Sequence, residues 1–387
     1  MRLAAQLAGI RVVSLEQYIS APYCTQILAE AGAEVIKIER PDGGDPRRTY
    51  DPLVDVDGHL ISGGFASYNR GKLSVTLDIT QDEGRDALLS LLETADVFVS
   101  NLRPGALARR GLAPDLLRER FPSLIVCELS GFGTAGGPMD DWPAFDSVIQ
   151  AMSGMSGLIG VAPDEPPLLA PMSVMDILSG IWGAVGILTA LHGRQRTGQG
   201  THIDAAMYDA GVAFMERAVT LAAFSGETPV RGVDRFSPVG SFQAADGRWL
   251  SIVIPTEEMW RRCCSAIDRI ELVNHPELDS VLKRAERMHD LVLPALHDWA
   301  VDGGLGAEEA ARRLRAAGQP VGIVQSIDEV MRSDQLLSRD MFWPLAPGSE
   351  IRLPRIPLVF DGAGSAPGLV PRLGEHNSRV LDREIPQ

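Results

Sequence analysis

The feature that most constrains the fold is a strand–helix–strand pattern that recurs through the first ~130 residues. Ile10–Leu15 is a short β-branched run, Ala21–Gly32 has helical spacing and ends on a glycine, and Glu34–Arg40 is a second strand pattern. Such a short crossover joins parallel strands through a right-handed connection. Further strand patterns follow at 73–79, 96–101 and 123–131. We therefore predict an α/β fold with an open sheet covered by helices.

The composition then changes along the chain. From about residue 140 to 195 it becomes rich in small and apolar residues, which is typical of close-packed helices. Residues 198–224 predict a strand followed by a long helix. The Asp-Gly turn within 242–254 predicts a hairpin, and helical segments follow it. We predict a second, smaller domain over 225–325 and a proline-rich tail that lies over the surface.

Asp176 is a single carboxylate at the head of a long apolar segment, and no Lys or Arg occurs within 121–193 to neutralise it. An unpaired buried carboxylate is costly, so it is expected to serve either structure or function. The structural interpretation is a helix cap, for which both Ser173 and Asp176 are suitable residues. The functional interpretation is a nucleophile in a desolvated position, with Gly180 and Gly183 leaving room for a ligand.

A second carboxylate, Asp146, also heads an apolar helix and is open to the same two interpretations. If it shared a pocket with Asp176, the pair would suit acid–base chemistry. The sequence alone does not bring the two carboxylates together.

Basic and polar residues follow several of the predicted strands. Arg40 closes the second strand, and Asn101, Arg103 and Arg109 come directly after a later one. Parallel sheets bind ligands at the carboxyl ends of their strands, so these side chains predict a site for a phosphate-bearing ligand. Solvated loop arginines are the alternative for each residue taken separately.

Several functional classes lack support in the sequence. A net charge of −15 argues against nucleic acid and anionic membranes as partners. No G-x-G-x-x-G follows the first strand, no metal-type spacing is present, and no secretory signal is evident. The four cysteines are expected to be free thiols in the cytoplasm. The longest apolar stretch, Ile177–Leu191, is expected to be a buried helix rather than a membrane span.

The motifs taken together resemble the class III coenzyme A-transferases, a family that includes formyl-CoA transferase, carnitine CoA-transferase and α-methylacyl-CoA racemase. The resemblance is carried by colinear segments along nearly the whole chain. They read "GIRVVSLEQYISAPYCTQILAEAGAEVIKIERPDGGDPRR", "YNRGKLSVTLDIT", "VFVSNLRPGALARRGL", "ELSGFGTAGG", "GQGTHIDAAMYDA", "FQAADGRWLSI" and "PRLGEHNSRVL".

The resemblance implies a Rossmann-like large domain, a small α+β domain and an interlaced homodimer. The large domain would be formed by residues 1–200, a linker helix by 201–224, the small domain by 225–325, and a return segment by 326–387. Asp176 would be the catalytic nucleophile, and coenzyme A would be a substrate, with no permanently bound cofactor and no metal. The positions implied to line the coenzyme site are Ile19, Ser20, Arg40, Leu77, Asp78, Ile79, Thr80, Asn101, Leu102, Arg103, Arg109, Phe145 and Asp146.

Two departures from the family pattern bear on the reaction. Racemase members carry a histidine where this chain has Phe145, and a phenyl ring cannot carry a proton. Formyl-CoA transferase has a run of glycines before the small-domain hairpin, whereas here only Gly240 lies near that place. The first departure argues against racemisation, and the second argues against formyl or oxalate specificity.

The predicted function is therefore CoA transfer from an acyl-CoA, such as succinyl-CoA, to a carboxylic acid, possibly a small dicarboxylate. Arg231 or Arg235 is a candidate to bind the free carboxylate of that acid. One alternative is an acyl-CoA isomerase that works by α-proton exchange. A second is a non-catalytic subunit of a heteromeric transferase.

Overall fold

A computed structural model describes residues 6–56, 58–160, 164–234, 237–361, 363–364 and 367–382. These residues divide into two compact units. The larger unit takes its described residues from Met1–Ile159, Pro167–Glu227 and Asp334–Gln387, and the smaller from Gly160–Pro166 and Thr228–Ser333. The chain therefore leaves the larger unit and later returns to it.

The strands are given in chain order. They are β1 Arg11–Leu15, β2 Glu34–Glu39, β3 Leu53–Val56, β4 His59–Ser62, β5 Leu73–Thr76, β6 Val97–Ser100, β7 Ile125–Ser130, β8 His202–Ala206, β9 Val239–Gln243, β10 Trp249–Val253, β11 Val321–Ile323, β12 Phe342–Pro344, β13 Arg352–Pro354, β14 Val359–Phe360 and β15 Ala363–Gly364.

The α-helices follow the same order. They are α1 Ser20–Glu30, α2 Gly63–Asn69, α3 Asp82–Leu92, α4 Pro114–Arg120, α5 Asp146–Met152, α6 Met155–Leu158, α7 Val174–Thr197, α8 Met207–Phe214, α9 Glu216–Ser225, α10 Glu257–Ala266, α11 Val281–Glu286, α12 Leu293–Asp302, α13 Ala307–Ala316, α14 Ile327–Met331, α15 Asp334–Leu337 and α16 Asn377–Leu381. Short 3₁₀ turns span Pro46–Thr49, Ala108–Arg110 and Ile270–Asn274, and a π turn spans Met288–Val292.

The larger unit is organised by a six-stranded sheet in the order β5-β2-β1-β6-β7-β8. Every neighbouring pair in it is parallel, with Val12 of β1 opposite Val35 of β2 on one side and Val97 of β6 on the other. The strands are apolar on both faces, as parallel strands covered on both sides must be. The predicted parallel α/β sheet is confirmed.

The core of the larger unit lies on both faces of this sheet. On one face Val13 belongs to a buried cluster with Leu88 of α3 and Leu117 of α4. On the other face Val12 shares a cluster with residues of α1 and with Ile187 of α7. Helices α1 and α7 therefore cover the face from which the candidate site is built.

The smaller unit combines an antiparallel sheet, ordered β11-β10-β9, with several helices. Strands β9 and β10 form a hairpin around Asp246-Gly247, where Gly247 has a φ of 81°. A positive φ is readily adopted by glycine, which explains the turn signal in the sequence. Trp260 of α10 is the largest fully buried side chain of this core.

The segment 201–224 contains the predicted strand, but it does not form the predicted single linker helix. Its first part pairs with β7 as strand β8 at the sheet edge. The rest forms α8 and α9, which are separated at Met215, where ψ is 25° and the N–H is shared between the carbonyls of Gly211 and Val212. The prediction of one continuous helix was wrong because hydrophobic spacing does not reveal a one-residue break.

The C-terminal segment covers the edge strand β5. The Thr76 N–H donates to Asn377 Oδ1 at 2.9 Å, and the Ser74 N–H donates to His376 Nδ1 at 3.2 Å. The His376 N–H in turn donates to the Ser74 carbonyl. An uncovered edge strand would offer these groups to another chain, so the segment protects the sheet.

Helix α7 is long and apolar enough to cross a membrane by length and composition. A single such helix is weak evidence, because core helices pass the same test. Its Ser179, Gly183 and Ile187 are buried, and the helix packs against α1 and β7. Exposed apolar residues, including Trp182 and Val185, lie on the remainder of its surface.

Candidate active site

The candidate site lies at the point in the sheet where the strand order reverses. From the central pair β1 and β6, the strand order runs outward to β2 and β5 on one side and to β7 and β8 on the other. Open parallel sheets bind ligands at the carboxyl ends of their strands at such a switch point. The segments that follow β1 and β6 therefore define the site, and both contain residues predicted from the sequence.

Asn101 joins these two segments. Its Oδ1 accepts from the Gln17 N–H at 3.0 Å, and its Nδ2 donates to the Gln17 carbonyl at 2.7 Å and to Ser20 Oγ at 3.3 Å. The intervening Tyr18 has a φ of 66°, an uncommon conformation for a large side chain. The structure thus brings together the predicted residues Asn101, Ser20 and Ile19 around a constrained loop.

A buried charge cluster of Glu16, Lys37, Asp45 and Lys72 lies beneath this loop. Lys37 Nζ is 2.8 Å from Asp45 Oδ2, and Lys72 Nζ is 2.8 Å from Glu16 Oε1. The Thr25 hydroxyl also donates to Glu16. All four charged side chains are fully buried, so their pairing is required to offset the cost of desolvation.

The two lysines respond differently to this environment. Burial lowers the pKa of Lys72 to about 8, although the carboxylate of Glu16 acts to raise it. Burial also lowers the pKa of Lys37, but the nearby carboxylates of Asp45 and Glu16 outweigh burial and leave that pKa raised. Lys37 is therefore held charged by its two partners.

The two carboxylates Asp146 and Asp176 meet at the start of α7. Asp146 Oδ1 accepts hydrogen bonds from the N–H groups of Met175, at 2.6 Å, and Asp176, at 3.1 Å. Asp146 therefore caps α7 from a different helix, although it precedes Asp176 by 30 residues. The expectation that Ser173 or Asp176 caps α7 was wrong, since the Ser173 side chain makes no capping bond and Asp146 occupies these N–H groups.

This arrangement raises the pKa of Asp176 to about 7. Burial is the largest cause, and the adjacent negative charge of Asp146 adds to it. None of the residues that the structure describes donates a hydrogen bond to the Asp176 carboxylate oxygens. The N–H groups at the start of α7 therefore do not stabilise the ionised carboxylate of Asp176, because Asp146 is their acceptor.

Gln150 fixes the position of Asp146. Its Nε2 donates to Asp146 Oδ2 at 2.5 Å and to the Ala170 carbonyl at 3.2 Å, while its Oε1 accepts from the Ala170 N–H at 2.9 Å. The side chain is 1% exposed. Gln150 thus ties α5 to the segment that precedes α7, and the sequence signal was only its position four residues after Asp146.

Helix α7 approaches α1 closely enough that Gly180 is required. A Cβ at position 180 would lie 2.7 Å from the Ser20 carbonyl oxygen and 3.2 Å from Tyr23 Cδ1. Because Gly180 is four residues after Asp176, this contact places the start of α7 beside the β1–α1 loop. Gly180 does leave room, as predicted, but the backbone and side chains of α1 occupy that room, so it is not open to a ligand.

Phe145 joins the same region from the start of α5. Its ring is 62% exposed and contacts the ring of Tyr18 edge to face, with a centroid separation of 6.0 Å. An exposed aromatic side chain beside two carboxylates offers an apolar wall and no proton.

Arg47 was missed by the sequence analysis. It follows β2 in a 3₁₀ turn, its Nε donates to the Gly64 carbonyl at 2.8 Å, and its guanidinium lies 5.4 Å from the ring centroids of both Tyr50 and Tyr68. Its positive charge lowers the pKa of Asp176, against burial and Asp146. The signal was present, because Arg47 follows a strand end as Arg40 does.

The remaining predicted residues lie at the carboxyl ends of β5, β2 and β6. Asp78 accepts from the N–H and hydroxyl of Thr80, which lowers its pKa. Arg40 is exposed and lies 3.8 Å from Asp42. Leu77 is buried, Ile79 and Leu102 are half-buried, and Arg103 and Arg109 are exposed. Their roles stay predictions.

These features can be compared with known proteins. CoA-transferase family III matches the chain over residues 7–377. The chain belongs to CoA-transferase family III. The family resemblance noted in the sequence is thereby confirmed.

Individual relatives of this transferase agree. The succinyl-CoA:mesaconate CoA-transferase of Haloarcula hispanica is 35% identical, covering 97% of this chain and 96% of that protein. The succinyl-CoA–L-malate CoA-transferase alpha subunit of Chloroflexus aurantiacus is 33% identical, covering 98% and 88%. A CAIB/BAIF family protein from Brucella suis has a crystal structure that matches with a TM-score of 0.85 at 28% identity, covering 98% and 99%.

The transferase is therefore an enzyme that acts on CoA thioesters. The two residues predicted to bind a free carboxylate, Arg231 and Arg235, stay predictions. Arg231 is 8% exposed and donates to the backbone carbonyls of Glu165 and Pro166, within the smaller unit. Arg235 lies outside the described residues.

Proposed function

We propose that this class III transferase moves coenzyme A from succinyl-CoA to a small dicarboxylic acid through covalent intermediates on Asp176. The observation that carries the proposal is the carboxylate of Asp176, half-buried beside Asp146 at the switch point of the sheet. Two relatives are named for succinyl-CoA together with mesaconate or malate, which are dicarboxylic acids.

The first half of the reaction loads the enzyme. The ionised carboxylate of Asp176 attacks the thioester carbonyl, the C–S bond breaks, and CoA leaves as a thiolate from a mixed anhydride. The thiolate then attacks the aspartyl carbonyl of that anhydride. This step releases the donor acid as a carboxylate and leaves Asp176 as its CoA thioester.

The second half reverses these steps with the acceptor acid. The acceptor carboxylate attacks the Asp176 thioester and again expels the CoA thiolate, which gives a new anhydride. Thiolate attack on the acyl carbonyl of the acceptor then forms the product thioester and restores Asp176. No proton transfer is required, and the low-dielectric surroundings of Asp176 favour attack by a carboxylate.

The coenzyme is proposed to lie along the carboxyl ends of the strands. Arg40, Arg103 and Arg109 are exposed there, and guanidinium groups suit phosphate recognition. Asn101 holds the loop that would cover the pantetheine. This local charge is compatible with a chain whose net charge is −15.

The decisive experiment compares Asp176→Ala with Asp209→Ala. Asp209 also lies in the first turn of a helix of the larger unit, but it is exposed. Transfer from succinyl-CoA to a panel of acids is expected to fall by at least about 10⁴-fold in Asp176→Ala and to be unchanged in Asp209→Ala. Binding of CoA should persist in both variants. A fully active Asp176→Ala protein would contradict the proposal.

Mass spectrometry of the intact wild-type protein tests the intermediate itself. Incubation with succinyl-CoA alone should give a covalent CoA adduct that is absent from Asp176→Ala. The rival isomerase predicts instead that deuterium enters a chiral acyl-CoA from solvent with no acceptor acid present. If the chain were a non-catalytic subunit, the purified chain alone would be inactive.

We further propose that two copies of the chain form the working enzyme. Several large apolar side chains of the larger unit are exposed, among them Trp182 of α7 at 53% and Phe224 of α9 at 91%. Exposed apolar surface of this kind marks an interaction site. Sedimentation analysis should give a dimer, and a stable monomer with full activity would contradict this proposal.

A further inference from the structure

We infer that Arg47 binds the free carboxylate of the dicarboxylic acid and thereby selects dicarboxylic over monocarboxylic substrates. The inference rests on the proposed function and names a residue for the specificity of that site. Its support comes from the position, the surroundings and the unbalanced charge of Arg47.

The guanidinium is held in a fixed position. Tyr50 and Tyr68 place their rings 5.4 Å from it, and Nε donates to the Gly64 carbonyl at 2.8 Å. A Cβ at position 64 would lie 3.0 Å from Nη2, so glycine lets the group lie against the backbone. An arginine that is already held by two aromatic rings and one hydrogen bond loses little conformational freedom when a carboxylate binds to its remaining N–H groups.

A chain of contacts connects Arg47 to the start of α7. Tyr68 contacts the ring of Tyr23 edge to face at 6.2 Å, and Tyr23 lies against Gly180, one turn after Asp176. The charges agree with this proximity. Arg47 lowers the pKa of Asp176, and burial together with the charge of Asp176 raises the pKa of Tyr68.

Arg47 differs from the other basic side chains of this region. Lys37, Lys72 and Arg48 each contact a carboxylate at 2.7 to 2.8 Å. Arg47 forms no ion pair with any residue that the structure describes, and its two terminal nitrogens donate to none of them. A half-buried guanidinium with both terminal NH2 groups available matches the geometry of a carboxylate.

A dicarboxylic acid supplies that carboxylate. One of its carboxyl groups reacts at Asp176, where burial and the adjacent charge of Asp146 make further negative charge unfavourable. The second carries a charge that must also be balanced near the site. Arg47 offers this balance to succinate and its relatives, whereas the methyl end of a monocarboxylic acid gains nothing from it.

The test measures a ratio of activities within each variant. Labelled succinate is exchanged with succinyl-CoA, and labelled butyrate with butyryl-CoA, so that both acids have four carbons. Arg47→Met should lower kcat/KM for the succinate exchange about 10- to 100-fold more than for the butyrate exchange. Arg47→Lys, which keeps the charge but loses the forked geometry, should give an intermediate ratio.

The ratio separates specificity from a general loss of reactivity. Removing Arg47 also removes a charge that lowers the pKa of Asp176, and that change affects both acids equally. An equal decrease for succinate and butyrate would therefore overturn the inference.

Binding measurements decide the matter without turnover. In the Asp176→Asn background, calorimetry should show that succinyl-CoA binds more tightly than butyryl-CoA and that Arg47→Met abolishes the difference. An unchanged preference would overturn the role of Arg47, while absent transfer by the wild-type protein would contradict only the proposed function. Circular dichroism verifies the fold, and if Arg47→Met does not fold, the Arg47→Lys ratio supplies the answer.

Discussion

The larger unit buries charge in two places that differ in their balance. The buried charge cluster contains two lysines and two carboxylates, each within contact distance of an opposite charge. At the start of α7, Asp146 and Asp176 carry the same charge, and the pKa of Asp176 rises to about 7. Balanced charges position the loop after β1, whereas the like-charged pair lies where we propose that the reaction takes place. The surrounding fold must supply the stability that the pair lacks.

The largest effect is expected from unbalancing the cluster. Glu16→Gln leaves Lys72 without its carboxylate in a fully buried place, which should lower the free energy of unfolding by about 3–5 kcal/mol. The matched control is Glu34→Gln in β2, whose ion pair with Arg11 is partly exposed and should contribute no more than about 1 kcal/mol. Chemical denaturation of both variants measures the free energies of unfolding. Equal decreases would show that the buried charge cluster contributes no more stability than an exposed ion pair.

A smaller effect of the opposite sign is expected when the unbalanced pair is relieved. The folded-state pKa of Asp176 is about 7, above its usual value of 3.8, so its ionisation reduces stability progressively as pH rises from about 4 to 7. Asp176→Asn should therefore raise the melting temperature by a few degrees at pH 8 and by a smaller amount at pH 5. A variant that melts below the wild-type protein at pH 8 would contradict this account.

The smallest effect is expected from removing the neighbouring charge. Asp146→Asn keeps an Oδ1 acceptor for the N–H groups of Met175 and Asp176 and removes the repulsion, although it loses the hydrogen bond that Oδ2 accepts from Gln150 Nε2. Because burial of Asp176 persists, its pKa should fall by only about one unit. In the pH profile of kcat/KM, activity falls at acid pH as Asp176 becomes protonated. This acid limb should move to lower pH by the same amount as the pKa.

Asp204→Asn provides the control for that profile. The Asp204 carboxylate also accepts a backbone hydrogen bond, from the Thr134 N–H at 2.7 Å, but it is not one of the groups that raise or lower the pKa of Asp176. The acid limb of the kcat/KM profile of Asp204→Asn should therefore match that of the wild-type protein. A shift of the same size in both variants would show that the profile reports general charge and not the pair.

Local patterns predicted the sheet well, because its first strands are short β-branched or apolar runs with a helical period nearby. They also placed Arg40 and Asn101 correctly after strand ends, since that property depends only on the strand boundaries. The pairing of Asp146 with Asp176 was beyond reach, because hydrogen bonds between separate helices depend on tertiary packing. For the same reason the capping of α7 was assigned to the wrong residue.

Arg47 shows a different kind of limit. Its position after β2 was readable, but the two tyrosines that flank it lie at positions 50 and 68, and only the fold brings them to the same guanidinium. The break at Met215 was equally hidden, since α8 and α9 have continuous helical character in the sequence.

The C-terminal segment that covers β5 has a consequence for synthesis on the ribosome. His376 and Ser74, which contact each other, are 302 residues apart. At translation rates of ~5–20 residues per second, the edge of β5 emerges roughly 15–60 s before its cover exists. Throughout that interval the nascent sheet presents unpaired N–H groups, so we expect chaperones to bind this protein chiefly before its last dozen or so residues are made.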